Sequence, residues 1–476
     1  MPVTVVVLAA GQGKRMHSEL PKVLQPLAGR PLLGHVLDAA RALQPAAIHV
    51  VYGHGGDRVR AAFADQDLRW TLQSEQLGTG HAVEQALPSI PDDHQVLVLY
   101  GDVPLVRSKT LQRLVADSAD GKLALLTTLL DDPTGYGRVL RNELGEVVRV
   151  VEDKDASLEE RRVNEVNTGL MALTAGPLRR YLAQLTNDNA QGEYYLTDVI
   201  ELAAKQKYKI EGIVVDEPTE VFGINDRAQL AFAERTLQRQ YARELMVSGV
   251  TLADPERLDI RGKLSAGRDV FIDVGAVFEG EVQLGDRVHV GPHAVIVDTV
   301  LGEDCVVHPQ SVLHGVIAGA GCEIGPFARL RPGTQLAAHV KVGNFVEVKK
   351  SQVAEGSKMN HLSYIGDTSV GRGVNIGAGT ITCNYDGANK HRTVIGDEVF
   401  IGSGTMLVAP VEIGDGATVG AGSTITKNAP AGQLTVARSR QTSIDGWKRP
   451  RKKTTAGAEK AAQAKPRKPS PAKPKK

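Results

Sequence analysis

The chain is poor in the residues that build covalent or redox chemistry. It has three cysteines in 476 residues, Cys305, Cys322 and Cys383, with no CxxC pair among them. That excludes a disulfide framework, and it points to a reducing, cytoplasmic setting. Aromatics are scarce at 4%. No apolar run approaches the roughly 18 residues of a membrane span. The opening "MPVTVVVLAA" has the apolar character of a secretory core but no basic segment before it. It leads directly into "GQGKRM", so it reads as a buried strand. The formal net charge is only +1, which hides an asymmetry. From Lys448 onward twelve Lys and Arg face one acid, Glu459, whereas the preceding 447 residues hold 44 basic and 54 acidic groups. The body is acidic. The 448–476 tail, rich in Lys, Pro and Ala without apolar periodicity, is expected to be disordered, and a nonspecific contact with anionic surfaces is one use for it.

What the chain has in excess is glycine, with 50 residues, the mark of many turns or of a repeat that requires them. The length predicts two or three domains. Residues 1–226 alternate apolar runs ("VTVVVLAA", "AIHVVYG", "QVLVLYGD") with amphipathic stretches ("PLLGHVLDAARAL", "GHAVEQAL"). This predicts a Rossmann-like α/β domain whose sheet is mostly parallel and covered by helices. In 227–249, Leu230, Ala233, Leu237, Tyr241 and Leu245 recur every third or fourth residue, predicting a helical connector. Within 250–447 the period becomes six: Ile395, Ile401, Leu407, Ile413, Val419 and Ile425, and earlier Ile324, Leu330, Leu336, Val342 and Val348. Hexapeptide repeats of this kind coil into a parallel β-helix. The beat is interrupted at 349–364 and at 382–394, and both interruptions read as loops expelled from the coil.

Several strings carry chemistry. "LAAGQGKRM" follows the first strand, with "PK" at 21–22. A glycine turn there offers backbone N–H groups to a phosphate, while Arg15 and Lys22 neutralise charge. The turn is not a Walker loop, since no GK[ST] follows, and by itself it reads equally as a tight turn. Asp102, in "LYGDVPL", sits where open α/β sheets bind ligands, and beside a triphosphate a carboxylate suits Mg²⁺.

Together with "QSEQLGTGHA" and the hexapeptide region, these strings make residues 1 to about 447 resemble the sugar nucleotidyltransferases. Within them the chain is most similar to the bifunctional bacterial family of N-acetylglucosamine-1-phosphate uridyltransferases / glucosamine-1-phosphate acetyltransferases. The resemblance implies acetyl transfer from acetyl-CoA to glucosamine-1-phosphate, then uridylyl transfer from UTP with release of pyrophosphate, towards a peptidoglycan and lipopolysaccharide precursor. It implies Mg²⁺ held by Asp102 and Asn225. It puts Leu8, Ala9, Ala10, Gly11, Arg15, Lys22, Gln73, Gly78, Thr79, Tyr100 and Gly101 on the nucleotide, and Gly137, Glu152 and Asn167 on the sugar. It assigns His361, in "MNHLSYIGD", as the general base of acetyl transfer, with Arg331, Lys349, Tyr364 and Asn375 binding that substrate. Ala378, Asn384, Tyr385, Ser403, Ala421 and Arg438 would meet acetyl-CoA. It further implies a left-handed coil and a homotrimer with acetyltransferase sites shared between subunits. Two other readings are a single-activity pyrophosphorylase with a purely structural coil, and an interaction platform with a basic tail. The "NHLSY" and "CNY" strings weigh against the first, because a structural coil has no use for them.

Overall fold

The computed structural model describes residues 1–11, 13–53 and 55–450; the tail expected to be disordered lies outside them from residue 451 onward. Two compact units are present, Met1–Val436 and Ala437–Lys476. In the first, the opening run forms the strand Val3–Leu8. Val5 and Val7 pack into one core with Leu33, Val36, Leu111 and Leu114. Val6 and Leu8 pack into another with Ala82, Val83, Leu178 and Val199. Alternate side chains of a strand leave opposite faces, so an unbroken valine run is stable only when helices cover both. Across the sheet the order is Ile210–Val214, Leu123–Leu129, Glu165–Thr174, Gln95–Tyr100, Val3–Leu8, Ala47–Tyr52 and Arg69–Leu72. Pairing is parallel except around Glu165–Thr174, which runs antiparallel to both neighbours, so the sheet is mixed. Leu8 is in register with Tyr100, which puts the turns after both strands side by side at the carboxyl edge.

The expected connector is the helix Arg227–Val247, capped by the Asp226 carboxylate accepting from Gln229 N at 2.8 Å. Ala233 and Leu237 pack with Leu27, Leu32 and Ile224, while Ala242 and Leu245 join the core of the coil. Gln238, fully buried, clamps Ile260 through its N–H and its C=O, both at 2.8 Å. The helix is therefore packed into both layers of one unit.

The repeat region is a three-faced parallel coil. Val307, Ile324, Val342, Met359, Ile376, Ile401 and Val419 stack in one ladder. Leu330, Val348 and Ile365 stack on a second face, and Leu336, Val353 and Val370 on a third. Each aliphatic points inward and is worth roughly 1.5–3 kcal/mol on burial. Corners are made by single residues of positive φ. One corner column runs His293, Gln310, Phe327, Phe345 and Leu362 (φ 45° to 58°), then Gly379, Gly404 and Gly422 (φ 72° to 74°).

The two expected loops differ. Residues 384–392 do leave the coil, between strands Ile381–Cys383 and Thr393–Ile395. The 349–364 interruption is not a loop, and this corrects the reading from periodicity. Gln352–Val353, Lys358–His361 and Tyr364–Gly366 are coil strands in register with the turn before. Val348 and Val353 lie on successive faces but are five residues apart, because Lys350 alone turns that corner at φ 45°. A five-residue step breaks a six-residue count without breaking the coil.

Candidate functional site

At the carboxyl edge of the sheet, Leu8, Ala9, Ala10, Gly11, Lys22, Gln73, Gly78, Thr79, Tyr100 and Asp102 line one cleft of about 320 Å³. An adjoining cleft is lined by Arg15, Lys22 and Asn225. Sequence reasoning thus named most of the wall. The phosphate turn closes because residue 13 is glycine: at φ 60°, a Cβ there would lie 2.6 Å from Cβ of Lys22. Lys22 Nζ forms an ion pair with Asp102 and donates to Asn225 Oδ1 at 3.1 Å. Ile224 N donates to Asp102 O at 2.9 Å, which brings Asn225 to the strand end. Gly101 follows Tyr100 with its N–H on Leu8 O at 2.9 Å. Gln73, buried, donates from Nε2 to Gly78 O at 3.0 Å and to His81 Nδ1 at 3.2 Å, fixing its amide in the wall.

Among the described residues no group of three or more His, Cys, Asp or Glu gathers to hold a metal. The Asp102 carboxylate and the Asn225 amide oxygen nonetheless converge on one cationic atom, Lys22 Nζ. Two oxygens aimed at one positive centre suit Mg²⁺, which takes few protein ligands and fills its shell with phosphate and water.

The three residues expected at the sugar adjoin one another: a Cβ at Gly137 would lie 3.4 Å from the Glu152 carboxylate oxygens, and Glu152 acts in turn on Tyr100. Asn167 N donates to Gly137 O at 2.8 Å, and Glu152 accepts from Thr197 Oγ1 at 3.1 Å. Burial pushes the Glu152 carboxyl above its ordinary range. Burial, then the charges of Glu152 and Asp102, pushes the Tyr100 phenol up as well. Among the residues here that sequence reasoning did not single out are Gln76, Glu193 and Thr197. Gln76 donates to Ala10 O at 2.6 Å and lines both clefts; it lies in the quoted "QSEQLGTGHA" and could have been found there. Glu193 and Thr197 sit in "GEYYLTD", which carries no spacing signal.

On the coil, His361 ends the strand Lys358–His361 and Tyr364 begins the strand Tyr364–Gly366 on the next face. Leu362 makes the corner between them, so two residues three apart face different sides of one edge. His361 is exposed and its Nδ1 meets Asn344 Oδ1 at 3.0 Å. Around the Tyr364 side, Asn384, buried, donates to the Asp367 carboxylate and to Tyr364 Oη at 3.4 Å. Arg331 pairs with Glu347 at 2.8 Å. Lys390, in the expelled loop and not singled out from sequence, lies against Lys349. Its ammonium holds Lys349 below the ordinary lysine value, with desolvation and Arg331 adding to the effect. The Asp367 carboxylate opposes that shift and lines one cleft with Lys390. The Lys390 ammonium also stands 5.8 Å from the centroid of Tyr385, which is exposed. Asn375 is in register with Lys358 of the His361 strand. Ala378, Ser403 and Ala421 each precede a glycine of the bare corner column. Arg438 belongs to the second unit.

With these sites described, the chain can be set beside known proteins. Residues 5–189 match the MobA-like NTP transferase domain family, and residues 392–427 match the bacterial transferase hexapeptide family, whose six repeats agree with a left-handed coil. A protein of Alkalilimnicola ehrlichii is 60% identical over 455 residues, 96% of this chain and 98% of its own length. A protein of Marinobacter nauticus is 56% identical over 451 residues (95% and 99%), and one of an Azoarcus species 59% identical over 446 (94% and 99%). Each is named bifunctional protein GlmU. The chain belongs to the bifunctional GlmU family and is a transferase with both uridylyl-transfer and acetyl-transfer activities.

Proposed function

We propose that each activity has its own site: acetyl transfer on the coil around His361, and uridylyl transfer at the sheet edge around Lys22, Asp102 and Asn225. The observation that carries this reading is that cations gather at two separate places, Lys22 with Arg15 in one and Lys349, Lys390 and Arg331 in the other. Each would meet a phosphorylated substrate.

In the first reaction the amine of glucosamine-1-phosphate attacks the thioester carbonyl. His361 Nε2 takes the amine proton, the C–S bond breaks, and the proton passes from His361 to the departing sulfur, so that coenzyme A leaves as the thiol. Arg331, Lys349 and Lys390 hold the sugar phosphate, with Tyr364 and Asn375 on the sugar. The acyl donor lies along the bare corner. Its N–H ladder is continuous, Gly379 to Leu362 O (3.0 Å), Gly404 to Ala378 O (2.7 Å) and Gly422 to Ser403 O (2.8 Å). The same corner carries His, Gln, Phe and Leu at positive φ in earlier turns, so the coil does not need glycine there. Glycine at 379, 404 and 422 leaves room for a long, thin ligand flanked by Ala378, Ser403 and Ala421, with Asn384 and Tyr385 supplying polar contacts. Asn tolerates left-handed backbone, and the nearest atoms to a Cβ at Gly404 would be the Cα and N of Gly422, at 3.8 Å. Gly404→Asn is expected to raise the KM for acetyl-CoA by about tenfold while the melting temperature shifts by only a few degrees. An unchanged KM would remove the donor from this corner.

In the second reaction a phosphate oxygen of N-acetylglucosamine-1-phosphate attacks the α-phosphorus of UTP in line, and the bond to the β-phosphate bridging oxygen breaks to release pyrophosphate. Gln73, Gly78 and Thr79 hold the base, Gly137, Glu152 and Asn167 the sugar. Arg15, Lys22 and the 8–11 backbone neutralise the phosphates. When bound, Mg²⁺ would be held by Asp102 and Asn225 and would supply further neutralisation of the triphosphate.

Three unpaired cysteines, two of them buried, support a reducing cytoplasm as the setting. No helix among the described residues is long and apolar enough to cross a membrane. The family also suggests a homotrimer, expected to sediment at three times the 50.9 kDa chain.

The test is a product assay by mass spectrometry with glucosamine-1-phosphate, acetyl-CoA, UTP and Mg²⁺, and a parallel tube without acetyl-CoA. UDP-N-acetylglucosamine is expected only in the complete tube. Nucleotide sugar forming from supplied N-acetylglucosamine-1-phosphate, with no acetylated product from glucosamine-1-phosphate, would reduce the coil to scaffold.

A further inference from the structure

We infer that Asn344 is a positioning residue for acetyl transfer: it fixes the proton of His361 on Nδ1 and leaves Nε2 as the base. The inference rests on the reading of His361 as that base. Asn344 ends the strand Lys341–Asn344 one turn before His361, and the two residues are paired directly in the parallel ladder. Leu362 N also donates to Asn344 O at 3.0 Å, so the backbone on both sides of the pair is tied. A strand-to-strand pairing holds the two side chains one above the other, and the 3.0 Å approach of Oδ1 to Nδ1 follows from it.

The chemistry is set by what an amide oxygen can do. It only accepts, so the nitrogen facing it carries hydrogen. A neutral imidazole alone distributes its proton over both nitrogens and turns about its side-chain bonds; held by Asn344, it presents one lone pair in one direction. Once His361 takes the amine proton, the Nδ1–H keeps the same partner.

Among the described residues no carboxylate pairs with the His361 ring, whose Nδ1 meets Asn344. Glu347, the nearest acid along the preceding turn, is engaged with Arg331 at 2.8 Å. Lys341 on the Asn344 strand is paired with Glu323 at 2.6 Å, and in the turn after, Arg372 is paired with Asp397 at 3.2 Å. Lys358 on the His361 strand and Tyr364 beyond the corner complete the ionisable groups on these elements. The partner is thus a neutral acceptor, which orients the ring without adding a negative charge beside it.

The experiment compares Asn344→Ala and Asn344→Asp with the native full-length chain, following both reactions from about pH 5.5 to 9. Asn344→Ala is expected to lower kcat for acetyl transfer by about 10- to 100-fold, the usual range for a group that orients a reacting side chain. The KM for glucosamine-1-phosphate should stay within about twofold, and uridylyl transfer should be unchanged. Asn344→Asp keeps the acceptor and adds a charge, which favours the imidazolium. It should recover most of the rate at high pH while its acid limb moves up by about one pH unit. A native pH profile in Asn344→Asp, or a loss in Asn344→Ala seen only in KM, would overturn the inference. Thermal melts of both variants separate misfolding from mispositioning. His361→Ala run alongside distinguishes the layers: if it retains acetyl transfer the reading of the base itself fails, whereas if it is inactive and both Asn344 variants behave as native, only the role of Asn344 fails.

Discussion

His361→Ala is expected to lower acetyl transfer by about 10²- to 10⁴-fold, the usual worth of a positioned base. Uridylyl transfer onto supplied N-acetylglucosamine-1-phosphate should stay within about twofold. The selectivity follows from where the side chain stands. Met359 of the same strand points inward and is fully buried, whereas His361 is exposed at the edge of the face. Its ring meets another side chain, Asn344, and not the coil's backbone. Truncation therefore opens no cavity in the coil, and the sheet domain keeps its own two cores. The measurement is the paired rate of both reactions on one preparation, with a melt as control. Equal loss of the two activities would mean that the substitution unfolds the chain or that the sites are not separate.

The opposite selectivity is expected of Asp102→Asn. The change keeps the shape and removes the charge that meets Lys22. Uridylyl transfer should fall by about 10²- to 10³-fold, comparable with removing one preorganised electrostatic contact from a reacting centre. Acetyl transfer should not change. The pair is only partly exposed, 12% for Lys22 and 17% for Asp102, so losing the carboxylate also strands an ammonium in a half-dry cleft. The Mg²⁺ concentration giving half-maximal rate should rise, and the thermal stabilisation that Mg²⁺ with UTP gives the native chain should shrink. If the rate falls while both magnesium readouts stay native, Asp102 acts through Lys22 and the metal belongs elsewhere.

These two substitutions also mark how much of each site was legible beforehand. Most residues that line the sheet-edge cleft lie in three short strings, each of which follows a strand. A strand end is a fixed address in an open sheet. Glu193 and Thr197 were missed because their chain segment arrives from a helix-side connection that no local pattern announces. On the coil, the reading from periodicity placed His361 in a loop. It stands in a strand, and the apparent loop was a five-residue step between Val348 and Val353. Lys390 was overlooked because its distance from Lys349 along the chain says nothing about their contact once residues 384–392 fold back.

Two levels of organisation separate here. The order of strands, helices and repeats was determined by the sequence alone, since burial periodicity and short glycine turns act over a few residues, and the two activities were legible only through resemblance to a known family. The antiparallel insertion of Glu165–Thr174, the convergence of Asp102 and Asn225 on Lys22, the bare glycine corner and the Asn344–His361 pair were decided only by tertiary structure. Each depends on residues from different turns or strands meeting at a set distance. Sequence spacing cannot measure that distance; the register of a ladder can, because one step in it moves every side chain to another neighbour.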